Sequence, residues 1–156
     1  MTADASPDKD SKPFRWSYLI AALLSLIGLA DALYLTVQHL TGESLRCTLI
    51  SGCSEVLSSP YAHIGSIPLA AVGATAYFSV FSLSILAAFN YRFVRPLLAV
   101  LVAVMFLMTL WLLYLQAFVI RHFCQYCLLS AAVTIVLTGL LVIAPLVAGK
   151  RGRSSR

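Results

Sequence analysis

Cysteine is the residue type whose number and spacing in this sequence most strongly indicate chemistry. The chain of 156 residues contains four cysteines, arranged in two close pairs. Cys47 and Cys53 are separated by five residues, and Cys124 and Cys127 form a C-x-x-C motif. Paired cysteines carry out thiol–disulfide exchange, in which a thiolate attacks a disulfide sulfur and forms a mixed disulfide. Two pairs therefore allow electrons to pass from one pair to the other.

The C-x-x-C motif stands at the predicted N-terminus of a helix. Residues i and i+3 share one helical face, so Cys124 and Cys127 can close a small, strained and readily exchanged ring. The positive end of the helix dipole and the neighbouring Arg121 favour a thiolate at the first cysteine. His122 either assists by hydrogen bonding or is simply an interfacial side chain. The motif predicts an exchange site at the boundary between membrane and water.

The first cysteine pair lies in a connection that is rich in serine and glycine. These residues predict a mobile loop, because glycine is conformationally permissive. A mobile pair can meet a partner protein in water and then a second disulfide at the membrane. The residues concerned are Gly42, Ser44, Ser51 and Gly52.

Apolar runs dominate the remaining sequence. Hydrophobic residues make up 60% of the chain and charged residues only 11%, with a mean hydropathy of +0.91. Four runs, 16–40, 67–89, 96–120 and 123–149, reach the roughly 20 residues that a helix needs to cross a bilayer. They show no alternation typical of strands. We therefore predict an all-α membrane protein, an antiparallel bundle of four transmembrane helices, with an outer loop that includes a short amphipathic helix around residues 55–64.

Lysine and arginine predict the orientation of these spans. Nine of the eleven basic residues fall in the N-terminal tail 1–15, between spans two and three, or in the C-terminal tail 150–156. The positive-inside rule places these segments in the cytoplasm and the loop 41–66 outside. Both cysteine pairs then lie on the outer side, where disulfides persist. The basic residues form no stripe interleaved with aromatics, which argues against nucleic-acid binding.

Three competing interpretations remain. The N-terminal run resembles a cleavable signal peptide ending near Ala30–Asp31–Ala32, although its apolar pattern continues to full span length. A second interpretation makes the cysteine pairs static disulfides in a non-catalytic scaffold, but a C-x-x-C ring stabilises a fold poorly. A third makes the four thiolates a metal site, in a metal-binding or transport protein, although the spacing of Cys47 and Cys53 fits this poorly.

The order of motifs resembles the bacterial vitamin K epoxide reductase family. The resemblance covers about residues 17–148. It rests on the loop cysteine pair, then Ser58–Ser59–Pro60–Tyr61, then Ile67–Pro68–Leu69 at the start of span two, and the C-x-x-C at the start of span four. In the other bacterial type of disulfide-bond oxidase the C-x-x-C lies in the first outer connection, so its order is reversed.

The resemblance implies an electron path. Cys47 would exchange with a thioredoxin-like partner, and Cys53 would attack the Cys124–Cys127 disulfide at Cys124. Cys127 would then reduce a quinone, the substrate, without any metal or flavin. Ser59 matches a serine that the family places near the quinone headgroup, or it caps a short helix. Tyr61 would contact the quinone ring or the lipid interface.

Two departures from the family pattern bear on partner and substrate. Many bacterial members carry a fused thioredoxin-like domain after the last span, whereas this chain ends in a basic tail, so the partner would be a separate protein. Ser130, Ala131 and Ala132 stand where the mammalian enzymes have Thr-Tyr-Ala. The absence of that tyrosine favours quinone reduction over epoxide reduction.

Asp31 is the one acidic residue within the predicted spans. Counting 1.5 Å per residue from Trp16 places it about 22 Å along the first span, towards the outer end. An acid inside a membrane is a functional candidate by default. We predict either proton handling during quinone reduction, or a hydrated or hydrogen-bonded carboxyl without function. His39 and His63 are interpreted as surface residues of the outer region.

Overall fold

A computed structural model describes residues 11–41, 56, 62–64, 67–89, 91 and 93–143. The described chain forms four long helices and a two-stranded hairpin. The helices are α1 (Ser11–Thr41), α2 (Leu69–Ala88), α3 (Val94–Tyr114) and α4 (Gln125–Thr138), and the strands are β1 (His63–Ile64) and β2 (Ile67–Pro68). Helix α3 runs on into a π-helical turn, Leu115–Ile120, and α4 into another, Gly139–Ile143.

The four helices are long and apolar enough to cross a bilayer. The membrane-competent stretches are Trp16–Thr41, Leu69–Ala88, Val94–Ile120 and Gln125–Val142. They coincide with the four apolar runs of the sequence, so the prediction of a four-helix membrane bundle is confirmed. Many large apolar side chains on their outer faces are exposed, among them Leu23, Phe78 and Leu107. Such surface suits a lipid environment, in which helices satisfy their own backbone groups.

The helices pack in a ring in chain order. Helix α1 packs most extensively on α2 and also contacts α4, while α3 contacts both α2 and α4. Only four residues, 121–124, separate the π-helical turn of α3 from α4. Short connections of this kind place consecutive helices side by side and antiparallel.

Small residues allow α1 to approach α2 closely. Ala21, Ser25, Gly28 and Ala32 recur at helical spacing and are all buried. Small side chains at helix interfaces are the usual means of close packing in membranes. The ring of Tyr77 on α2 lies against Gly28, where an added Cβ would be only 2.4 Å from the ring. The glycine therefore makes room for a buried tyrosine in the middle of the bundle.

A small hairpin leads the chain into α2. Strands β1 and β2 pair antiparallel, with Ile64 opposite Ile67. Pro68 is the N-cap of α2, a position that suits proline because its missing N–H has no helical partner there. The amphipathic helix predicted around residues 55–64 lies mostly outside the described residues. Val56 is helical, but His63 and Ile64 are extended, so a helix reaching Ile64 is corrected by this strand pairing.

The two ends of the bundle differ in character. At one end, the guanidinium of Arg95 at the start of α3 lies 5.9 Å from the ring centroid of Tyr18 near the start of α1. At the other end, the close of α1, the hairpin and the start of α4 surround a cavity. The C-x-x-C motif belongs to this second end.

Candidate active site

The C-x-x-C motif forms the N-terminus of α4, as its position in the sequence predicted. Cys124 is the N-cap residue, with an extended backbone, and its carbonyl accepts the first helical hydrogen bond from Leu128 N–H at 3.0 Å. The side chain of Cys124 is fully buried, whereas Cys127 is partly exposed. Both cysteines are free thiols. Between them, Tyr126 packs on Tyr34 of α1, with 5.2 Å between the ring centroids.

The surroundings of Cys124 favour its thiolate. A hydrogen bond from the Cys127 thiol lowers the pKa of Cys124 to about 7, assisted by the backbone N–H groups of Cys127 and Tyr126, although burial acts in the opposite direction. These N–H groups are the unpaired donors of the helix N-terminus. Arg121 is not among the groups that lower this pKa. The acidity of Cys124 thus originates within the first turn of α4.

A cavity of about 160 Å³ lies beside the motif, between the ends of all four helices. Most of its lining is apolar, with a few polar groups that include Asp31, Gln116, Ser130 and the thiol of Cys127. A mainly apolar cavity with a few convergent polar groups is the common form of a small-molecule site. An apolar cavity of about 150 Å³ is large enough to hold benzene. This cavity therefore has room for one six-membered ring next to Cys127.

Gln116 lines the cavity and is hydrogen-bonded to the backbone of Cys124. It was not predicted from the sequence as a site residue. It lies on the π-helical turn of α3, is 3% exposed, and accepts a hydrogen bond from the backbone N–H of Cys124 at 3.3 Å. The turn ends at Arg121, whose left-handed backbone (φ 57°) redirects the chain into α4. A lone glutamine in an otherwise apolar run is a signal that could have identified it, because polar groups in membrane spans are often functional.

Asp31 lines the same cavity from α1. Its side chain is 7% exposed, and neither carboxylate oxygen has a hydrogen-bond partner among the described residues. A buried carboxylate without partners is costly, so its presence requires an explanation. Its position places a proton-carrying group beside the space that adjoins Cys127.

Comparison with known families identifies the chain. The model of the Vitamin K epoxide reductase family, VKOR, matches residues 19–142. The chain belongs to this family. It is accordingly a multi-pass membrane protein and an oxidoreductase of the VKOR type, whose chemistry links disulfides to a quinone. The matched residues include α2, α3, α4, the part of α1 from residue 19 onward, and the cavity lining.

A buried tyrosine of this VKOR-family bundle, Tyr77, joins α2 to α4 by hydrogen bonds next to the cavity. The Tyr77 hydroxyl lies 2.8 Å from the Ser130 hydroxyl and 2.9 Å from the Thr134 hydroxyl, and it donates to the Ser130 carbonyl at 2.9 Å. Ser130 in turn lines the cavity, three residues after Cys127. Ser130 was expected only as a departure from the mammalian pattern, and no role was predicted for Tyr77.

The remaining residues expected in the VKOR site belong to the connection 41–66. Cys47, Cys53, Ser59 and Tyr61 are outside the described residues. Two neighbours of theirs, Val56 and Ala62, line the cavity. Val56 also packs against Cys124.

Two further predictions concern histidines and metals. His39 was expected on the surface, but it is partly buried and lines the cavity. Within the described part of the chain, no group of three or more histidine, cysteine or acidic residues is placed to hold a metal ion. The four-thiolate alternative needs Cys47 and Cys53, which lie outside that part.

Proposed function

We propose that this VKOR-family protein oxidises thiols of a thioredoxin-like protein and reduces a membrane quinone. Electrons pass from the partner to Cys47 and Cys53, then to Cys124 and Cys127, and finally to the quinone. The net reaction converts two partner thiols and one quinone into one disulfide and one quinol, so electrons and protons balance. Thiol–disulfide exchange and thiolate attack carry every step, and the path needs no metal or flavin.

The placement of Cys127 on the cavity wall is the observation that carries this proposal. Cys127 faces a space with room for one ring, whereas Cys124 is fully buried beside it. The two sulfurs therefore have different roles in the proposal. Cys124 forms the mixed disulfide with the first pair, and Cys127 passes electrons to the quinone. A lipid-soluble quinone would reach this cavity from the bilayer.

Contact between the outer connection and Cys124 supports the transfer between pairs. Val56 packs directly against Cys124. Cys53 stands three residues before Val56, and three residues of chain span at most about 11 Å. This short separation supports the proposed step, in which the Cys53 thiolate attacks the Cys124 sulfur and Cys127 leaves as a thiolate.

Ser59 and Tyr61 are proposed to contact the quinone headgroup. The position of Ala62 supports this proposal. Ala62 follows Tyr61 in the chain and lines the cavity, as does Pro68. Side chains that just precede Ala62 can reach the same space. A serine hydroxyl can donate to a quinone carbonyl, and a tyrosine ring can pack against the quinone ring.

Asp31 is proposed to supply a proton to the reduced quinone. Quinol formation takes up protons as well as electrons, and a carboxyl on the cavity wall can deliver one by general acid catalysis. The lack of hydrogen-bond partners among the described residues leaves this carboxyl available to a ligand in the cavity.

The proposed location is the plasma membrane of a bacterium, with the cysteine pairs on the outer side and a separate thioredoxin-like partner there. The distribution of lysine and arginine supports this orientation. The quinone pool then draws electrons from exported proteins and keeps their compartment oxidising.

Replacing Cys47 tests the order of the relay. We expect Cys47→Ala to abolish oxidation of a reduced thioredoxin-like protein, because the mixed disulfide with the partner cannot form. Quinone reduction driven by dithiothreitol should persist at about the wild-type rate, since a small dithiol can reduce the Cys124–Cys127 disulfide directly. Both rates are followed by quinone absorbance with the purified protein in detergent. Equal loss of both activities would contradict the proposed order.

A further inference from the structure

Ser130 on the cavity wall has a hydroxyl that is hydrogen-bonded to another helix. Serine and threonine within a helix often donate to a carbonyl one turn earlier, as Ser79 and Thr138 do. The hydroxyl of Ser130 is directed across the helix interface, where its Oγ lies 2.8 Å from the hydroxyl of Tyr77 on α2. Ser130 also lines the cavity. Its hydroxyl therefore lies between the cavity and the buried tyrosine.

Burial holds the Tyr77 hydroxyl beside Ser130. Tyr77 is 2% exposed, and its ring packs against Gly28 of α1. The Thr134 hydroxyl, also buried, lies 2.9 Å from the Tyr77 oxygen. A buried hydroxyl is costly unless it is hydrogen-bonded, so Tyr77 is kept on the polar groups of α4.

The single proton of the Tyr77 hydroxyl has two acceptors on Ser130 within reach. The Tyr77 oxygen lies 2.9 Å from the Ser130 carbonyl and 2.8 Å from Ser130 Oγ. A hydroxyl has one donor and two acceptor lone pairs, and its hydrogen rotates to suit the partners. Two arrangements of the protons therefore fit the same positions of the oxygen atoms.

Each arrangement leaves Ser130 with a different capacity towards a ligand. When Tyr77 donates to the Ser130 carbonyl, Ser130 donates to Tyr77, and its lone pairs can accept from a ligand hydroxyl. When Tyr77 donates to Ser130 Oγ, the Ser130 proton can be donated to a ligand carbonyl. The Ser130 carbonyl has a donor in both cases, because the Thr134 hydroxyl donates to it at 3.0 Å.

We infer that Ser130 binds one ring oxygen of the substrate as a quinone carbonyl and again as a quinol hydroxyl, and that Tyr77 is a positioning residue for this contact. This inference rests on the proposed binding of a quinone in the cavity. Without the Tyr77 hydroxyl, Ser130 would donate to a carbonyl of its own helix, as helical serines often do. Its contact with the ring would then be lost.

Three ligands that differ in their oxygens test this role. Duroquinone is a fully methylated benzoquinone, durohydroquinone is its quinol, and durene is a tetramethylbenzene without oxygen. Their dissociation constants are measured by titration calorimetry on full-length protein in detergent with both cysteine pairs oxidised, so that no thiol reduces the quinone.

We expect Ser130→Ala and Tyr77→Phe each to weaken the binding of duroquinone and durohydroquinone about fivefold, the scale of one hydrogen bond between neutral groups. Durene should bind equally well to the wild type and to both variants. The double variant should lose no more affinity than Ser130→Ala alone, because both substitutions remove the same contact.

The matched control is Thr138→Val, which removes another buried hydroxyl from α4. Thr138 donates to the Thr134 carbonyl at 2.8 Å and does not line the cavity, so its three dissociation constants should equal those of the wild type. Wild-type affinity of Ser130→Ala for duroquinone and durohydroquinone would overturn the inference, as would an equal loss for durene. Wild-type affinity of Tyr77→Phe would overturn the positioning role of Tyr77. The oxidised protein transfers no electrons, so these outcomes are distinguishable from a failure of quinone reduction.

Discussion

At the scale of single residues, one small region contains an acidic thiol, a cavity-facing thiol and a carboxyl that has no hydrogen-bond partner among the described residues. Cys124 is buried and hydrogen-bonded by its neighbours in the first turn of α4. Cys127 and Asp31 line the cavity from α4 and α1. Each group has a property that can be measured separately from the complete reaction.

The pH dependence of Cys124 ionisation tests its surroundings. Because Cys124 is fully buried, its ionisation rather than its rate of alkylation is measured, by the ultraviolet absorbance of the thiolate. In reduced protein carrying Cys47→Ala and Cys53→Ala, this absorbance should rise with pH through a midpoint near 7, the pKa of Cys124. Cys127→Ala should move the midpoint upward, to about 8.5 or higher, because the thiol donor is lost. Unchanged midpoints in the two proteins would refute the role of Cys127.

Substitution of Asp31 tests whether this carboxyl acts in quinone reduction or in the stability of the fold. Asp31→Asn should lower quinone turnover about 100-fold, the scale of a lost general acid. Its thermal unfolding midpoint in detergent should not fall, because the wild-type carboxyl has no compensating partner among the described residues.

Ser84→Ala is the matched control for Asp31. Ser84 is another fully buried side chain whose hydroxyl has no partner among the described residues, and it does not line the cavity. Its removal should leave turnover unchanged. Retention of more than half of the wild-type turnover in Asp31→Asn would contradict a role in proton transfer.

At the scale of elements, close packing of α1 on α2 and the π-helical end of α3 position the site. Gly28 allows the Tyr77 ring to lie between α1 and α2, and the Tyr77 hydroxyl then bonds to Ser130 and Thr134 on α4. The π-helical turn brings Gln116 to the backbone of Cys124. Three helices are thus fixed relative to one another beside the cavity.

Gly28→Ala should destabilise the bundle by about 1–3 kcal/mol, the cost of overpacking a well-filled core. The added Cβ would lie 2.4 Å from the Tyr77 ring, so the ring or the helix must move. Gly139→Ala is the control, because a Cβ there meets nothing within 4 Å; alanine should stabilise this helical position by about 0.5–1 kcal/mol. Thermal unfolding midpoints of both variants provide the measurement, and equal shifts in the same direction would contradict this packing.

The sequence was sufficient to predict the four helices, because apolar length alone decides which segments can cross a bilayer. It also predicted the position of the C-x-x-C at the start of α4. The π-helical turn, the left-handed backbone of Arg121 and the partnership of Gln116 with Cys124 were not predictable. They depend on how one helix ends against another, which no periodicity in the sequence encodes. The hydroxyl contacts of Tyr77 were missed for the same reason.

At the scale of the whole molecule, the bundle has one end with basic residues and one end with the cysteine chemistry. Arg95 and Tyr18 bring the starts of α3 and α1 together at one end. His39, Ala62, Ile120 and Cys127 meet at the cavity of the other. Which of the two ends faces the cytoplasm stays a prediction from the distribution of lysine and arginine.

Single cysteines in a chain without its native cysteines test that orientation. Ser6→Cys and Ser155→Cys lie in the two basic tails, and Ser44→Cys lies in the 41–66 connection. With intact cells and a membrane-impermeant maleimide, only Ser44→Cys should react, because the positive-inside rule places both tails in the cytoplasm. Permeabilised cells serve as the control, in which all three should react. Labelling of either tail in intact cells would reverse or reject the proposed topology.

The proposed function depends on the transfer of electrons from Cys127 to a quinone in the adjoining cavity. This transfer is tested by quinone reduction with the purified protein and excess dithiothreitol, comparing wild type with Cys127→Ala. We expect sustained turnover by the wild type and loss of at least about 1,000-fold in the variant, since removal of a nucleophile abolishes its covalent step. Turnover that persists in Cys127→Ala would contradict this transfer, as would a wild-type protein that reduces no quinone.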